Sequence, residues 1–187
     1  MNKGSVRREV LERRLRIPGS EVFDLSSRII SAITSLLVFK TAQIIAIYAP
    51  FRNEVDVTPL LNFPEKIFLL PKVVKNSKKL DFYKVTKNTA LVTGSYGIFE
   101  PDTNAMKFLI ENIDLFIVPG VAFSKIGERI GYGSGYYDCT LKFGKKDAKT
   151  IGVAFETQII SESFAQTHDI KMNFVVTENN IYRSATI

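Results

Sequence analysis

The sequence is poor in the residues that build cross-linked or metal-cluster proteins. Its 187 residues include one cysteine, Cys139, one histidine, His168, and no tryptophan. A single cysteine excludes an internal disulfide framework and a zinc cluster held by cysteines. A single histidine excludes a site that needs several imidazole ligands. The disulfide-rich and cysteine-zinc classes of protein are therefore ruled out.

We expect the chain to contain no segment that crosses a membrane or directs export. The stretch 29–51 is nearly free of charge, but Lys40 lies in its middle. A charge at that depth costs about 2.5–3.5 kcal/mol in a bilayer. The basic N-terminus is followed by no apolar core or small-residue cleavage site, unlike a signal peptide. We therefore expect a cytoplasmic protein without a membrane partner.

What the chain does contain is typical of one globular domain over residues 1–187. Hydrophobic residues make up 45% and charged residues 24% of the sequence. These fractions are close to the average for soluble proteins and exclude a disordered chain, a collagen-like repeat and a coiled coil. A chain of this length can bury a core of its own. We expect a single domain that acts as a monomer.

Positive charge is concentrated in the first 16 residues. This segment holds six basic and two acidic side chains, so it carries most of the formal net charge of +6. A basic end of this kind suits nucleic acid, membrane phosphate or a polyanionic small molecule. Composition alone leaves these three partners open.

Helical and strand patterns alternate along the chain. A basic helix is predicted over 3–16 and a second helix over 20–37, where apolar residues recur every three or four positions. Strands are predicted at 43–49, 66–70, 80–85, 115–118, 150–155 and 174–177, the first two ended by Pro50 and Pro71. Shorter helices are predicted over 57–62, 104–112 and 136–143, and a loop over 95–102. The alternation predicts an α/β fold, a single three-layer α/β/α domain that is Rossmann-like, with a mostly parallel or mixed open sheet.

The predicted sheet indicates where a ligand would bind. In open α/β sheets, ligands bind beyond the carboxyl ends of the strands. Glu54 follows the first predicted strand, and a run of glycines follows the strand that ends at Val118. We therefore look for functional residues in these two segments.

The segment 131–138 is the most unusual in the chain and reads Gly-Tyr-Gly-Ser-Gly-Tyr-Tyr-Asp. Alternating glycines allow consecutive backbone N–H groups to turn toward one anion. Two common phosphate fingerprints do not match. Position 136 is tyrosine where the dinucleotide pattern needs glycine, and Gly144-Lys145 precedes Lys146 where a P-loop has serine or threonine. Spacing alone therefore leaves two interpretations, an anion-binding loop or a flexible turn.

Five charged side chains are candidates for binding, and each has a structural alternative. Asp138 could hold Mg²⁺ or satisfy free amides at a helix start. Arg129 could contact phosphate or lie exposed in a loop. Lys3 and Arg7 are four residues apart and share a helix face, so they could converge on a triphosphate or form a solvated basic face. Glu54 could accept two hydrogen bonds from an amidine-like ring edge, such as that of a pterin, or cap the helix predicted at 57–62.

Together these segments resemble the 5-formyltetrahydrofolate cyclo-ligase family. The resemblance is strongest over Val-Pro-Gly-Val-Ala-Phe at 118–123 and over 127–138, where Gly-Glu-Arg-Ile precedes the glycine-rich segment. Weaker supporting matches are Lys3 with Arg7, 53–56, 97–101, 155–158, 168–169 and 175–178. The resemblance thus runs from Lys3 to Glu178.

The resemblance implies a folate enzyme that uses ATP as co-substrate and Mg²⁺ as cofactor. In this family the formyl oxygen of 5-formyltetrahydrofolate attacks the γ-phosphate, and the second folate nitrogen then closes the ring. The products are 5,10-methenyltetrahydrofolate, ADP and phosphate. The implied partners are the folate, with or without a polyglutamate tail, and ATP, with no nucleic acid. The alternative is a folate- or nucleotide-binding protein of the same fold with little turnover.

The family's functional positions carry over to residues of this chain. The implied catalytic residues are Arg129, Tyr137 and Asp138. The implied ATP ligands are Lys3, Arg7, Arg129, Ile130, Gly131, Tyr132, Gly133, Ser134, Gly135, Tyr136 and Tyr137. The implied folate ligands are Glu54, Tyr132, Gly133, Ser134, Gly135 and Tyr136, and the implied Mg²⁺ ligands are Asp138 and Asn173.

Three positions depart from the family pattern. Tyr132 stands where many members have arginine, which would remove one cation near the phosphates. Cys139 stands where bacterial members often have arginine, at a position we regard as tolerant. Asn173 stands where the family usually has aspartate. Its amide oxygen could still coordinate Mg²⁺ but brings no charge, so a weaker metal site is expected.

Overall fold

Thirteen strands are present in the computed structural model, which describes residues 2–102, 104–163 and 169–184 and so leaves His168 outside the described part. In chain order they are β1 (Ile44–Ala46), β2 (Ile67–Val73), β3 (Leu80–Val85), β4 (Leu91–Thr93), β5 (Phe99–Pro101), β6 (Lys107–Phe108), β7 (Leu115–Pro119), β8 (Ala122–Ser124), β9 (Arg129–Ile130), β10 (Lys149–Val153), β11 (Ile159–Ile160), β12 (Phe174–Val176) and β13 (Ile181–Arg183).

Eight of the strands form one mixed sheet in the order β13-β12-β10-β7-β1-β2-β3-β6. The five inner strands from β12 to β2 are parallel, and the outer strands β13, β3 and β6 pair in antiparallel fashion. Parallel strands need a covering layer on both faces, which explains their continuous apolar runs. The predicted α/β fold with a mixed sheet is confirmed.

Helices cover the sheet on both faces. They are α1 (Lys3–Leu15), α2 (Gly19–Ser35), α3 (Leu37–Thr41) and α4 (Tyr136–Leu141), with 3-10 helices over Thr58–Asn62, Ser95–Gly97, Ile110–Asn112 and Glu156–Gln158. Because side chains alternate along a strand, Ile45 packs in one core with Ile29 and Phe39 of α2 and α3. Its neighbour Ala46 belongs to the opposite core, against which Leu141 of α4 packs.

The N-terminal helix α1 packs beside the main sheet on a smaller one. Val6 and Val10 form a third apolar cluster with Val121, Ala122 and Ile130. The last two belong to a three-stranded sheet of order β11-β8-β9. The connection from β7 to α4 carries two strands of this sheet, β8 and β9, and the glycine-rich segment, so α1 lies against the part of the chain that holds the motif.

The helix predicted over 104–112 is wrong. Residues 107–108 form β6, which pairs with β3 through Phe82 and Phe108, and a 3-10 helix follows. The loop predicted over 95–102 is wrong in part, because Phe99–Pro101 pairs with Leu91–Thr93 in a hairpin. Strands of two or three residues are stabilised by their partners rather than by a local pattern.

Pro71 does not end β2 as predicted, since the strand continues to Val73 with Pro71 paired to Phe82 of β3. On the other side of β2, pairing with β1 stops at Leu69. Beyond Leu69 the strand is an edge on that side, where the missing N–H of a proline is tolerated.

The nearly uncharged stretch 29–51 is divided among three elements. It spans the end of α2, the short helix α3 that contains Lys40, and β1. Of the helices in the described ranges, none is long and apolar enough to cross a bilayer.

Candidate active site

A cavity of about 650 Å³ opens at the carboxyl end of β1 and beside the connection that leads from β7 to α4. Cavities of about 300–1,000 Å³ are the usual size for small-molecule sites. Every predicted site residue except Asn173 lines it, namely Lys3, Arg7, Glu54 and the whole segment 129–138. The structure therefore brings together residues that are more than a hundred positions apart in the chain.

Two glycines give the motif its shape. Gly133 has φ of 110° and Gly135 has φ of 71°, in the left-handed region that L side chains rarely adopt. Gly135 immediately precedes α4. A Cβ atom on Gly133 would also lie 3.6 Å from the guanidinium of Arg7. That distance is an ordinary van der Waals contact, so it is the backbone conformation that requires glycine here.

The helix α1 supplies two cations to the cavity. Arg7 Nε donates to the carbonyl oxygen of Gly131 at 2.8 Å. Lys3 Nζ lies 2.5 Å from Asp169 Oδ2. The predicted shared face of Lys3 and Arg7 is confirmed in that both side chains line the cavity. Arg7 is thus held against the glycine-rich segment, and Lys3 is held against Asp169.

Arg129 and Asp138 form an ion pair at the start of α4, with Arg129 Nη2 2.9 Å from Asp138 Oδ2. Arg129 is buried, so the exposed loop arginine considered from the sequence is not found. Its guanidinium lies 5.5 Å from the centre of the Tyr137 ring, and its Nε has no hydrogen-bond partner among the described residues. The pair fixes one carboxylate oxygen of Asp138 inside the cavity.

The Tyr137 hydroxyl is held in its neutral form. Burial, which is the main cause, and the nearby charge of Glu54 raise its pKa well above the ordinary value, although Arg129 opposes them. A neutral phenol can donate a hydrogen bond to an oxygen atom without changing the charge of the site.

Glu54 follows β1 in a tight turn and is only 7% exposed. Its Oε2 accepts from the Phe51 N–H at 3.1 Å, and its Oε1 accepts from the Tyr132 hydroxyl at 3.1 Å. Burial raises the pKa of Glu54 to about 7, against the opposing influence of Arg14, the Phe51 N–H and the Tyr132 hydroxyl. In this turn Arg52 and Asn53 both adopt a left-handed conformation, and φ of Asn53 is 54°.

The alternative role for Glu54, capping of the next helix, belongs instead to Asp56. Its Oδ1 accepts from the backbone N–H of Thr58 at 2.9 Å and from the Thr58 hydroxyl at 2.7 Å. Thr58 begins the 3-10 helix. The Glu54 carboxylate is therefore not used for capping.

Arg14 was missed as a site residue, because the sequence places it in a run of basic side chains. It is 1% exposed, and its guanidinium reaches both Glu54 and Tyr132. A signal was present in the spacing: Val6, Val10 and Arg14 are four residues apart and are the buried residues of α1. A cation that continues an apolar stripe is expected to be buried and paired.

Asn173 lies away from the cavity, at the amino end of β12, so the structure does not bring Asp138 and Asn173 together. Its Oδ1 accepts from the Thr150 N–H at 2.8 Å and the Thr150 hydroxyl at 3.1 Å. The site forms at the opposite ends of the strands. In the described parts of the chain, no three His, Cys, Asp or Glu side chains cluster in a way that could hold a metal.

The hairpin of β4 and β5 forms a further wall of the cavity that the sequence did not predict. Tyr96, at its turn, stacks edge-on with Tyr136 at 6.4 Å between ring centres and has φ of 61°. Buried Glu100 accepts from the Ser95 N–H at 3.2 Å and so holds the turn in place. Aromatic surface is thereby presented to whatever occupies the cavity.

Known proteins are similar to this chain over nearly its whole length. The sequence model described as the 5-formyltetrahydrofolate cyclo-ligase family matches residues 1–178. A 5-formyltetrahydrofolate cyclo-ligase of Mycoplasma pneumoniae is 27% identical over 95% of this chain and 99% of its own length. One from Mus musculus is 26% identical over 95% and 94%.

A solved structure is also similar. The 5,10-methenyltetrahydrofolate synthetase of Aquifex aeolicus, determined by NMR, superposes with a TM-score of 0.87 and is 36% identical, covering 100% of this chain and 95% of the other. The similarity in fold and sequence therefore extends through every element that lines the cavity.

Proposed function

The chain belongs to the 5-formyltetrahydrofolate cyclo-ligase family, and from this we propose that it converts 5-formyltetrahydrofolate to 5,10-methenyltetrahydrofolate with ATP and Mg²⁺, releasing ADP and phosphate. It is a ligase that closes a carbon–nitrogen bond. We place its action in the cytoplasm, as a monomer working on small molecules.

The proposed reaction has two steps. The formyl oxygen forms a bond to the γ-phosphorus of ATP, and the bond from that phosphorus to ADP breaks. The second folate nitrogen then bonds to the formyl carbon, its proton is released, and the carbon–oxygen bond breaks as phosphate departs. Neither step needs a side-chain nucleophile, so the protein's work is placement of two substrates and stabilisation of charge.

One observation carries the proposal: the residues that line a single cavity include three cations supplied by α1 and β9 and the buried carboxylate of Glu54. Arg7, Arg129 and Lys3 are suited to the phosphates of ATP. Glu54 is suited to an amidine-like ring edge, because a carboxylate accepts two parallel hydrogen bonds. Tyr132 borders both groups, since its neighbour Gly131 is held by Arg7 and its own hydroxyl contacts Glu54.

Two side chains are proposed to act on the reacting groups. Arg129 is fixed by its ion pair with Asp138 and can stabilise charge on the transferred phosphoryl group. Tyr137, kept neutral by burial, can donate a hydrogen bond to an oxygen near it. Both roles require a rigid geometry, which the start of α4 supplies.

The residues at the cavity fit a magnesium ion that arrives with ATP. Asp138 offers one carboxylate, and Mg²⁺ is usually held by one or two carboxylates, substrate phosphates and water. When bound there, the ion would neutralise negative charge on the phosphates. Asn173 is left out of this proposed site because its amide oxygen accepts a hydrogen bond from the Thr150 N–H.

The direction of the basic side chains supports a small polyanion as partner instead of nucleic acid. Arg7 and Lys3 line the cavity, and Arg14 is buried behind it. Part of the positive charge of α1 is thus turned inward. A nucleic-acid binder would present such charge on an open surface.

The test is an absorbance assay for methenyltetrahydrofolate formed from 5-formyltetrahydrofolate, with ATP and Mg²⁺ each present or omitted. Product that requires both supports the proposal. Product formed without ATP contradicts it. Folded protein that binds the folate but makes no product would instead be a binding protein of the same fold.

A further inference from the structure

Arg14 is buried directly behind the wall of the cavity, where it contacts two of the residues assigned to the folate, Glu54 and Tyr132. We propose that Arg14 is a positioning residue, which orients Glu54 and Tyr132 for folate binding and favours the charged form of the buried Glu54 carboxylate. The inference rests on the proposed function, because it takes Glu54 as a folate ligand.

The geometry is a closed triangle of polar groups. Arg14 Nη2 donates to the Tyr132 hydroxyl at 2.5 Å, and that hydroxyl donates to Glu54 Oε1 at 3.1 Å. Arg14 Nη1 lies 3.6 Å from the same Oε1 and donates to the carbonyl oxygen of Gly120 at 3.2 Å. The planar guanidinium contacts three partners through a rigid fork, a geometry that a compact ammonium group does not provide.

This arrangement leaves acceptor capacity on Glu54 for a ligand. Oε1 accepts a hydrogen bond from the Tyr132 hydroxyl. Among the described residues, Oε2 accepts one hydrogen bond, from the Phe51 N–H. A carboxylate oxygen has two lone pairs, so each can accept a further hydrogen bond from a ring edge. Without Arg14 the Tyr132 hydroxyl would lose its donor and could rotate away.

The groups that face Glu54 are the Arg14 guanidinium, the hydroxyls of Tyr48, Tyr132 and Tyr137, and the N–H of Phe51. Asp56 and Arg129 lie one contact further out and act on Tyr48 and Tyr137, respectively. Among the groups that face it, only Arg14 carries a positive charge. A buried carboxylate that loses its counter-charge takes up a proton.

A protonated Glu54 could no longer accept two hydrogen bonds from a ring edge. Even with Arg14 in place, burial raises the pKa of Glu54 to about 7. Loss of the guanidinium removes the counter-charge that opposes this rise. Folate binding should then need a higher pH than in the unmodified protein.

The experiment measures the affinity for 5-formyltetrahydrofolate without ATP, by calorimetry, from about pH 5.5 to 8.5. It compares the unmodified protein with Arg14→Met, Arg14→Lys and Arg13→Met. Arg13 is the matched control, because it is the adjacent arginine of α1, exposed and paired with Glu9. ATP affinity is measured in parallel for each variant.

The unmodified protein and Arg13→Met should bind the folate more tightly as the pH rises through about 7. Arg14→Met should bind it at least about 10-fold more weakly at pH 7, with the midpoint moved up by about one pH unit or more. Its ATP affinity should stay within about 2-fold of the unmodified protein's. Arg14→Lys should restore the midpoint but not the full affinity, because its charge remains near Glu54 while its fork is lost.

Equal losses of folate and ATP affinity in Arg14→Met, or a folate midpoint unchanged from the unmodified protein, would make Arg14 a purely structural residue. If Arg14→Met does not fold, Arg14→Lys decides: full affinity at every pH overturns the inference. Unmodified protein that binds the folate but makes no product would reject the proposed reaction and leave the Arg14 test valid. Failure to bind the folate overturns both.

Discussion

Arg7 Nε donates a hydrogen bond to the carbonyl oxygen of Gly131 at 2.8 Å, and this contact holds α1 against the glycine-rich segment. The first helix and the segment 131–138 therefore form one wall of the cavity. The proposed ATP ligands of α1 and of the segment 131–138 are held together by that bond, by the contacts of Arg14 and by the apolar cluster beneath them.

Removal of Arg7 should weaken ATP binding selectively. In Arg7→Met we expect the KM for ATP to rise about 10-fold or more, since a hydrogen bond from a charged group contributes about 1.5–3 kcal/mol. The KM for the folate should change by less than about 2-fold. Steady-state kinetics check this, with Arg8→Met as control because Arg8 is exposed on the same helix. Equal rises in both KM values would indicate a structural role for α1.

Asp138→Asn should nearly abolish turnover while the protein stays folded. Loss of one electrostatic contact to a transition state typically lowers kcat by about 100-fold or more. Folate affinity measured without ATP should be unchanged. Asp147→Asn is the control, because Asp147 is exposed and belongs to the same part of the chain. Turnover of Asp138→Asn at the rate of the unmodified protein would remove Asp138 from the proposed site.

Asn173→Asp should leave the magnesium titration unchanged. The sequence pattern predicts that this variant needs less Mg²⁺. In the structure, however, the Asn173 side chain is hydrogen-bonded to Thr150, at the end of the sheet opposite to the cavity. The measurement is the Mg²⁺ concentration for half-maximal rate. A clear decrease would mean that position 173 reaches the metal during the reaction.

Gly133→Ala should disturb the glycine-rich segment. A residue with φ of 110° is strained unless it is glycine, at a cost of about 1–3 kcal/mol. We expect a lower Tm and a higher KM for ATP. Gly19→Ala provides the comparison, because an added Cβ there meets nothing within 4 Å. Similar behaviour of the two variants would argue against a constrained loop.

Glu54 should make stability and binding depend on pH in opposite directions. Its pKa is about 7 in the folded protein against an ordinary 4.5, so the folded protein retains a proton that the unfolded chain has released. The resulting stabilisation is complete below about pH 4.5 and is lost as the pH rises through 7, on the order of 3 kcal/mol in all.

Urea unfolding at pH 5 and pH 8 measures this dependence. Glu54→Gln should be less sensitive to the change in pH than the unmodified protein, and Glu65→Gln, at an exposed position, should match the unmodified protein. Identical pH dependence in all three proteins would contradict the raised pKa.

The sequence predicts the centre of the fold better than its margins. The strands β1, β7 and β12 are recognisable because burial on both faces demands continuous apolar residues. The hairpin of β4 and β5 and the short strand β6 depend on pairing with distant segments. Their two or three residues are too few for a periodic signal.

The residues of the site also differ in how well the sequence predicts them. The glycine-rich segment and Glu54 are marked by composition and by their place after strands, and the structure brings them together. Arg14 is hidden among other basic residues, and its role depends on which face of α1 is buried. Asn173 was assigned by motif position alone, although the strand predicted over 174–177 puts it at an amino end, away from the carboxyl ends where ligands bind.

The triangle of Arg14, Glu54 and Tyr132 also constrains the order in which the chain can fold during its synthesis. Arg14 and Tyr132 are 118 positions apart, so most of the chain must leave the ribosome before the arginine meets its partner. Until then its guanidinium stays hydrated, and α1 cannot settle into its buried position. A nascent chain that stops short of Tyr132 lacks most of the glycine-rich segment that lines the cavity.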